Sequence, residues 1–496
     1  MVVNIESDIL RRIGELADKK STEVYVVGGF VRDALRGVAC KDYDIMVVGD
    51  GIAFAKLVQE EYGKGKLVIH EKFRTARLFF HEEAVEFVGT RKETYRPESR
   101  KPYVTIGTLE DDLRRRDFTV NAIAAALNKN RFGEVIDIFD GIGDIEQKVL
   151  RTPIDPERTF SEDPLRMMRA FRFQAQLGFE LDQQAFSAIK RIAERLTVVS
   201  QERITDEFMK LLLTSKPSVG LIPMYEAGAL KYVFPELEAL GGVDQKSVDY
   251  PDGVRNYHHK DVLYHSFEVL DNIAAVSSDP WLRLAALLHD IAKPKTKAFR
   301  EDVGWTFYGH AELGAKMIPS IFKRMRLPMN RMKYVRKLVY LHLRPIALVQ
   351  EQVTDSAVRR LLFDAGEDID DLMLLCKADV TTKNPARAKR YRRNYKKLKE
   401  RLEAIESRDR LRNWQPPLRG EDIMEICGIE PGIAVGVLKV EVENAILEGK
   451  IPNDYKAARE YLLRIKDDIL AQKTLSKKQS LREKLDRLPA KISRDQ

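Results

Sequence analysis

Cysteine is scarce in this chain: Cys40, Cys376 and Cys427 are three in 496 residues, too few and too scattered for a disulfide framework or a zinc cluster. Long apolar runs are missing too, and none approaches the length that spans a bilayer. The first twenty residues set Ile5, Ile9, Leu10, Ile13 and Leu16 at helical spacing among charges, unlike a secretory signal. Neither an internal repeat nor a low-complexity tract stands out. These absences leave a cytoplasmic globular protein with no membrane contact, and 44% hydrophobic and 32% charged residues agree with that class. At 496 residues the chain exceeds one compact core and predicts three or four domains.

The excess of positive charge is small, 84 − 76 = +8, but unevenly placed. Lys383 to Leu402 holds ten Lys or Arg against one acid, Glu400. Arg387, Arg390, Arg392, Arg393, Lys396 and Lys397, with Tyr391 and Tyr395 between them, read as a helix presented to a polyanion. Arg390, Arg393, Lys396 and Lys397 are the RNA-binding candidates; a solvated basic helix is the plainer alternative. The tail from Ala471 to Gln496 is basic as well, with eight Lys or Arg against three acids.

Strands are predicted at Val24–Val27, Asp42–Val48, Lys66–His70, Arg77–Phe80, Val85–Val88 and Glu134–Phe139, and from Asp155 the pattern is helical. The segments 1–150, 151–240, 254–382, 383–470 and 471–496 follow from this, with a linker at Gly241–Gly253 and a break at Trp414-Gln415-Pro416-Pro417. The expected class is α+β, an α/β head followed by an extended all-helical body.

The densest chemistry lies in the head. Val26-Val27-Gly28-Gly29-Phe30-Val31-Arg32-Asp33 closes a strand on a glycine pair and opens a helix. Glycines there let a triphosphate approach the backbone, and the helix offers it N–H groups. Asp42 and Asp44, two apart on the next strand, share one face. Two such carboxylates repel unless a cation sits between them, and a metal pair held that way suits phosphoryl displacement. Further on, Asp117 and Asn121 are predicted on one helical face, apt for ribose hydroxyls, with Arg116 apt for a phosphate. An N-capped helix with Asp117 as the cap is the alternative. In Glu162-Asp163-Pro164-Leu165-Arg166-Met167-Met168-Arg169, Asp163 and Arg166 are predicted neighbours on one helix. A carboxylate accepts and a guanidinium donates, which matches cytosine and adenine and mismatches guanine and uracil. Arg169 joins the nucleotide-binding candidates Gly28, Gly29, Arg32, Arg116, Asp117, Asn121, Asp163 and Arg166.

These motifs resemble the class II tRNA nucleotidyltransferases, which add the 3′-terminal CCA and are related to bacterial poly(A) polymerases. The resemblance rests on Gly28-Gly29 with Arg32, Asp42-x-Asp44, Arg115-Arg116-Asp117 through Asn121, Glu162-Asp163-x-x-Arg166 and Gln201-Glu202-Arg203-Ile204-x-x-Glu207. It also touches Leu418-Arg419-Gly420-Glu421-Asp422-Ile423 and Pro431-Gly432-x-x-x-Gly436. It implies a small polymerase-beta-like nucleotidyltransferase head, two Mg2+ ions on the catalytic residues Asp42 and Asp44, and Asp163 with Arg166 as a protein template for the base. The implied partners are tRNA, CTP and ATP. Arg91–Leu113, with Tyr95, Arg96 and Arg100, falls where the family keeps a loop that helps switch from CTP to ATP, which implies full CCA addition. Poly(A) polymerase activity and CC- or A-only addition are the alternatives. The chain departs from the family pattern at Phe73-Arg74-Thr75 and at Glu86.

Six of eight histidines fall between His258 and His342. His265, His289-Asp290, His310, His342 and Asp379 resemble, in order, the HD metal-dependent phosphohydrolases. Imidazole and carboxylate are apt ligands for transition-metal ions, and two such ions suit phosphate-ester hydrolysis. A hydrolase as the main activity, with a head that only binds nucleotide, is the further alternative.

Overall fold

The computed structural model describes residues 1–475 except 64, 72–73, 81–82, 97–98, 244–260, 302–303, 351–353, 382–383, 410–413 and 415. Side chains are further described except at 92–104, 349–350, 387, 408–409 and 471–475. Phe73, His258, Lys383, Gln415, most of the expected linker, the tail beyond 475 and the side chains of Tyr95, Arg96, Arg100 and Arg387 lie outside the described residues. The chain forms two compact units, Met1–Gly242 with Arg324–Leu327, and Val243–Lys323 with Pro328–Gln496.

The first unit is built on a seven-stranded mixed sheet. Its strands are β1 (Val24–Val27), β2 (Asp42–Val47), β3 (Lys66–His70), β4 (Thr75–Phe80), β5 (Glu83–Gly89), β8 (Ile123–Ala126) and β9 (Val135–Asp137), ordered β3-β4-β5-β2-β1-β8-β9. Only β2 and β5 run parallel; the other neighbours are antiparallel. β6 (Arg91–Arg96) and β7 (Ser99–Ile106) form a separate hairpin. The period of two is visible in the core. Val24 and Val26 point to one face with Ile45, Phe54 and Phe87, while Tyr25 and Val27 point to the other with Met46 and Ala124. β1 is therefore covered on both sides and reads as an unbroken apolar run. Helices α1 (Asp8–Lys19), α2 (Gly29–Leu35), α3 (Gly51–Tyr62), α4 (Leu109–Arg114) and α5 (Gly141–Gln147) accompany the sheet. They are followed by α6 (Pro156–Glu162), α7 (Leu165–Leu177), α8 (Gln183–Ile192) and α9 (Gln201–Leu212).

Several elements differ from the sequence expectation, among them the strands of the β6–β7 hairpin and the short strand Glu180–Leu181, which pairs with Val149–Leu150. Ile123–Ala126 is a fully buried strand between β1 and β9, where alanine's small side chain outweighs its helical preference. Asp117 lies in a bend and Thr119–Asn121 is one 3-10 turn, so those residues do not share an α-helix. Two further strands interrupt the helical second unit.

Among the described residues that unit is helical apart from a small ribbon, Ala298–Arg300 paired with Gly304–Thr306. Its centre is Pro280–Leu288, buried from Leu282 to Leu288 and apolar there except for Arg283, whose guanidinium donates to Ser277 O at 2.9 Å and Ala274 O at 3.1 Å. Asp279 caps it, accepting from Trp281 N at 2.7 Å and Leu282 N at 2.8 Å, with Pro280 fixing the first turn. No described helix is long and apolar enough to cross a membrane.

Candidate functional sites

On β2, Tyr43 and Ile45 are buried in the core, and Asp42 and Asp44 face the opposite side. The parallel register sets Asp44 beside Glu86, and Arg77 of β4 lies opposite Glu86. Directly paired residues share a face, so Glu86 is a third carboxylate beside the two aspartates. Arg77 Nη2 stands 4.0 Å from Asp42 Oδ1. Burial, opposed by Arg116 and reinforced by Asp42 and Glu86, pushes the Asp44 carboxyl up to about 6. A site that resists a second negative charge fits divalent cations, and the all-oxygen donors suit Mg2+.

Gly28 ends β1 with φ +74 and ψ −129, and a Cβ there would meet Arg116 Nη1 at 2.9 Å and Asp44 Oδ2 at 3.7 Å. Glycine is thus favoured by the conformation, and a Cβ would in addition displace the Arg116 guanidinium. Gly29 has neither constraint; it opens α2 and has only Arg32 Nη2 within reach of a Cβ, at 3.6 Å. Arg116 Nη1 donates to Asn121 O at 3.2 Å, while its Nε is buried with no hydrogen-bond partner among the described residues. A buried donor left open beside the acids is what an oxygen-rich ligand would satisfy.

Behind this face runs a chain of alternating partners. Arg36 and Arg32 both grip Asp33, Arg32 through two parallel bonds of 2.9 and 2.7 Å. Arg32 Nη1 donates to Asn121 Oδ1 at 2.7 Å, and Asn121 Nδ2 donates to Asp117 Oδ1 at 3.0 Å. Arg169 Nε donates to Asp117 Oδ2 at 2.7 Å. Burial resists charge on Asp117, yet Arg169 and Asn121 hold it down at about 2. Arg169 then approaches Glu207 at 3.8 Å, which takes a 2.6 Å bond from Arg172. The Phe173 ring lies under Arg172, Arg169 and Arg32, at 4.1, 5.1 and 5.6 Å.

Asp163 and Arg166 correct an expectation. Pro164 disfavours helical backbone at Asp163, which is extended (φ −135, ψ 96) and joins α6 to α7 rather than sharing a helix with Arg166. Asp163 pairs with Arg203 at 3.1 Å, and the buried Arg166 donates to Thr159 O at 3.0 Å and Arg115 O at 2.5 Å.

In the second unit six side chains converge from the ends and faces of five helices. Asp290 Oδ2 lies 3.2 Å from His289 Nε2 and 3.7 Å from His265 Nε2, while its Oδ1 lies 3.3 Å from His310 Nε2 and 3.9 Å from His342 Nε2. Asp379 Oδ1 completes the first group, 2.9 Å from His265 Nε2 and 3.4 Å from His289 Nε2. His265, His289 and Asp379 form one candidate metal cluster, and Asp290, His310 and His342 the other. The Nδ1 atoms of His289, His310 and His342 each reach a backbone carbonyl, of Ala286, Phe307 and Val339, at 2.7 Å. That fixes the proton on Nδ1 and leaves each Nε2 lone pair aimed inward. His310 and His342 then face each other at 3.3 Å, and the buried Nε2 of His289 has no hydrogen-bond partner among the described residues. Burial opposes charge on His289, but Asp290 and Asp379 raise its pKa to about 10; burial and His289 push His342 down to about 4. Inward lone pairs and a demand for positive charge fit transition-metal ions.

Family models match three stretches: "Poly A polymerase head domain" over residues 24–151, "Probable RNA and SrmB- binding site of polymerase A" over 178–240, and "HD domain" over 262–383. An A-adding tRNA nucleotidyltransferase of Deinococcus radiodurans is 33% identical over 436 residues, spanning 86% of this chain and 91% of that protein. The chain belongs to the tRNA nucleotidyltransferase family. As a tRNA nucleotidyltransferase it is an enzyme that transfers nucleotides to tRNA. An A-adding relative from Geobacter sulfurreducens is 36% identical over 232 residues, 46% of this chain and 26% of that longer protein. The fold is also that of the Bacillus stearothermophilus CCA-adding enzyme solved with CTP (22% identity, TM-score 0.61, 94% of this chain and 98% of that one). The Thermotoga maritima CCA-adding enzyme solved with tRNA shares it as well (23%, TM-score 0.57, 92% and 94%).

The tRNA nucleotidyltransferase carries its basic cluster on the helix Pro385–Asp409, where Arg390, Arg393, Lys396 and Lys397 are exposed. The interleaved tyrosines do not accompany them. Tyr391 Oη contacts Cys376 Sγ at 3.1 Å and Tyr395 Oη donates to Met373 O at 3.1 Å, so both rings face the protein interior. Sequence reasoning missed Arg172, Phe173 and Lys293, whose Nζ is 2.7 Å from Asp290. The spacing of three in Arg166, Arg169 and Arg172 was the available signal, since it lines one face of α7.

Proposed function

We propose that the head adds AMP to the 3′ end of tRNA, taking ATP and releasing pyrophosphate, with the acid face of Asp42, Asp44 and Glu86 as its catalytic centre. That face, beside Gly28 and the open Nε of Arg116, is the observation that carries the reading. The tRNA 3′-oxygen forms a bond to the α-phosphorus as the bond to the β-phosphate oxygen breaks, and the 3′-hydroxyl proton is lost. Asp42, Asp44 and Glu86 would hold Mg2+, which when bound supplies activation of the hydroxyl and charge neutralisation at the leaving oxygens. Gly28 leaves room for phosphate, Arg116 donates to it, and the Asp117–Asn121–Arg32 network fixes the pocket wall. Asp163 supplies an acceptor for the exocyclic amine of the base, with Arg166 and Arg203 setting its orientation. Arg390, Arg393, Lys396 and Lys397 bind the tRNA backbone. We place the reaction in the cytoplasm.

Adenosine as the last nucleotide agrees with the two A-adding relatives. Full CCA addition is the second reading, because an acceptor–donor pair suits cytosine as well as adenine. Incubating the protein with tRNA ending in CC, or lacking its last three nucleotides, and labelled ATP or CTP separates these. A single A on the CC-ended substrate alone supports the proposal. CTP incorporation into the shorter substrate overturns it in favour of CCA addition, and a run of adenylates makes the enzyme a poly(A) polymerase.

The second-unit centre, in this reading, hydrolyses a phosphate ester. His265, His289, Asp290, His310, His342 and Asp379 would hold its ions, and Lys293 would steady Asp290 and meet phosphate charge. Substituting His289 and Asp290 should remove this hydrolysis and leave nucleotide addition intact.

A further inference from the structure

The ribbon Ala298–Arg300/Gly304–Thr306 is an unusual companion for that centre. A two-stranded hairpin holds together in water by covering an apolar face, yet here Phe299, Trp305 and Tyr308 remain 57%, 39% and 70% exposed. Each face pairs an aromatic ring with a cation. Phe299 and Trp305 are cross-strand partners in edge-to-face contact at 5.3 Å, with Lys297 Nζ 4.5 Å from the Trp305 ring. Arg300 lies 5.6 Å from the ring of Tyr308. The segment 293–308 carries Lys293, Lys295, Lys297 and Arg300 against Glu301 and Asp302. Both ends of the ribbon are tied to the metal-ligand cluster. Lys293 binds Asp290 and lies 5.5 Å from the Phe307 ring, and the Phe307 carbonyl accepts from His310 Nδ1.

We propose that this ribbon is a base-stacking platform that seats the end of a single-stranded RNA so that its terminal phosphate ester enters the six-ligand centre. Exposed rings interleaved with cations are the surface that single-stranded nucleic acid uses, bases on the rings and phosphates on the cations. An uncharged protein or lipid surface would leave the cations unmatched, whereas a strand supplies both rings and phosphates. Two stations, Trp305 with Phe299 and Tyr308 with Arg300, exceed what the one base of a mononucleotide can occupy, so the occupant is a strand. The substrate class of the centre is then an RNA-terminal phosphate ester. This inference rests on reading the centre as a phosphoesterase, and the test separates the two.

Trp305 can be isolated as a reporter in full-length protein by Trp281→Phe and Trp414→Phe. With metal chelated, an oligoadenylate carrying a 3′-phosphate should quench Trp305 emission with an affinity that falls as salt rises. Trp305→Ala should weaken oligonucleotide binding about tenfold and Trp305→Tyr should restore most of it. With metal present, Trp305→Ala should lower the ratio of oligonucleotide hydrolysis to bis-p-nitrophenyl phosphate hydrolysis by a similar factor. Absence of quenching, or an unchanged ratio, overturns the platform. Equal quenching by 3′-AMP overturns the strand as occupant. A wild-type protein that hydrolyses neither substrate refutes the phosphoesterase reading, while the emission titration still decides the ribbon.

Discussion

Gly28 and Gly29 look interchangeable in sequence, and the structure says that alanine at the two positions will act in opposite ways. At Gly28 an alanine must adopt φ +74 and ψ −129. Such backbone costs a residue with a Cβ about 1–3 kcal/mol. The Cβ would also stand 2.9 Å from Arg116 Nη1, forcing that guanidinium away from Asn121 O. At Gly29 the Cβ meets Arg32 Nη2 at an ordinary 3.6 Å, and the residue opens a helix. Alanine there should be neutral or stabilising by up to about 1 kcal/mol. All three tryptophans, Trp281, Trp305 and Trp414, lie in the second unit, so their emission does not report on the head. Hydrogen exchange followed by mass spectrometry does, peptide by peptide. Gly28→Ala should speed exchange in β1, β2 and β8 by about 5- to 150-fold, the equivalent of its energetic cost. Gly29→Ala should leave it unchanged or slower, and second-unit peptides should not move in either variant. Equal protection in the two variants would refute the assignment of strain to Gly28.

The raised pKa of Asp44 makes metal-free head stability pH-dependent. Between pH 3.8 and about 6 the folded chain keeps a proton that the unfolded chain has released, so stability falls as pH rises through that window. Mg2+ should remove this slope, and its own affinity, measured by calorimetry, should drop as pH falls through about 6; a pH-independent affinity would contradict the site. Asp42, 80% exposed and only loosely paired, should tolerate Asn without loss of fold while nucleotide incorporation disappears. Arg169→Ala strands the buried Asp117 carboxylate and should destabilise the head by roughly 3 kcal/mol, visible as faster exchange around Phe118 and α7. Chelation should lower the thermal midpoint read by tryptophan emission, which reports the second unit, and leave head exchange untouched.

Much of this was legible because the chemistry sits in short, local patterns. Asp42 and Asp44 share a face by strand geometry alone, and the order of the histidines and aspartates gave the second centre before any coordinates. What escaped depends on contacts between distant segments. Glu86 stood out in the sequence only as a departure from the family pattern, and its place beside the acids comes from the β2–β5 register. Ile123–Ala126 carries helix-forming alanines, and its strand character comes from the neighbours that bury it. Tyr391 and Tyr395 look like nucleic-acid contacts among arginines until the helix's rotation turns their hydroxyls inward. Pro164 was in plain view, but its effect on Asp163 matters only once the backbone at that joint is known.

The run of polar side chains from Arg36 through Asp33, Arg32, Asn121 and Asp117 to Arg169 is hydrogen-bonded at every link, and a 3.8 Å ion pair to Glu207 carries it on to Arg172. It bolts the sheet's glycine corner to α7, which begins beside Asp163 and Arg166, the pair proposed to read the base. If those roles hold, speed and letter choice ride on one frame. A genetic screen for enzymes that insert the wrong nucleotide will return changes at Glu207 and Arg36, side chains with no place on the acid face.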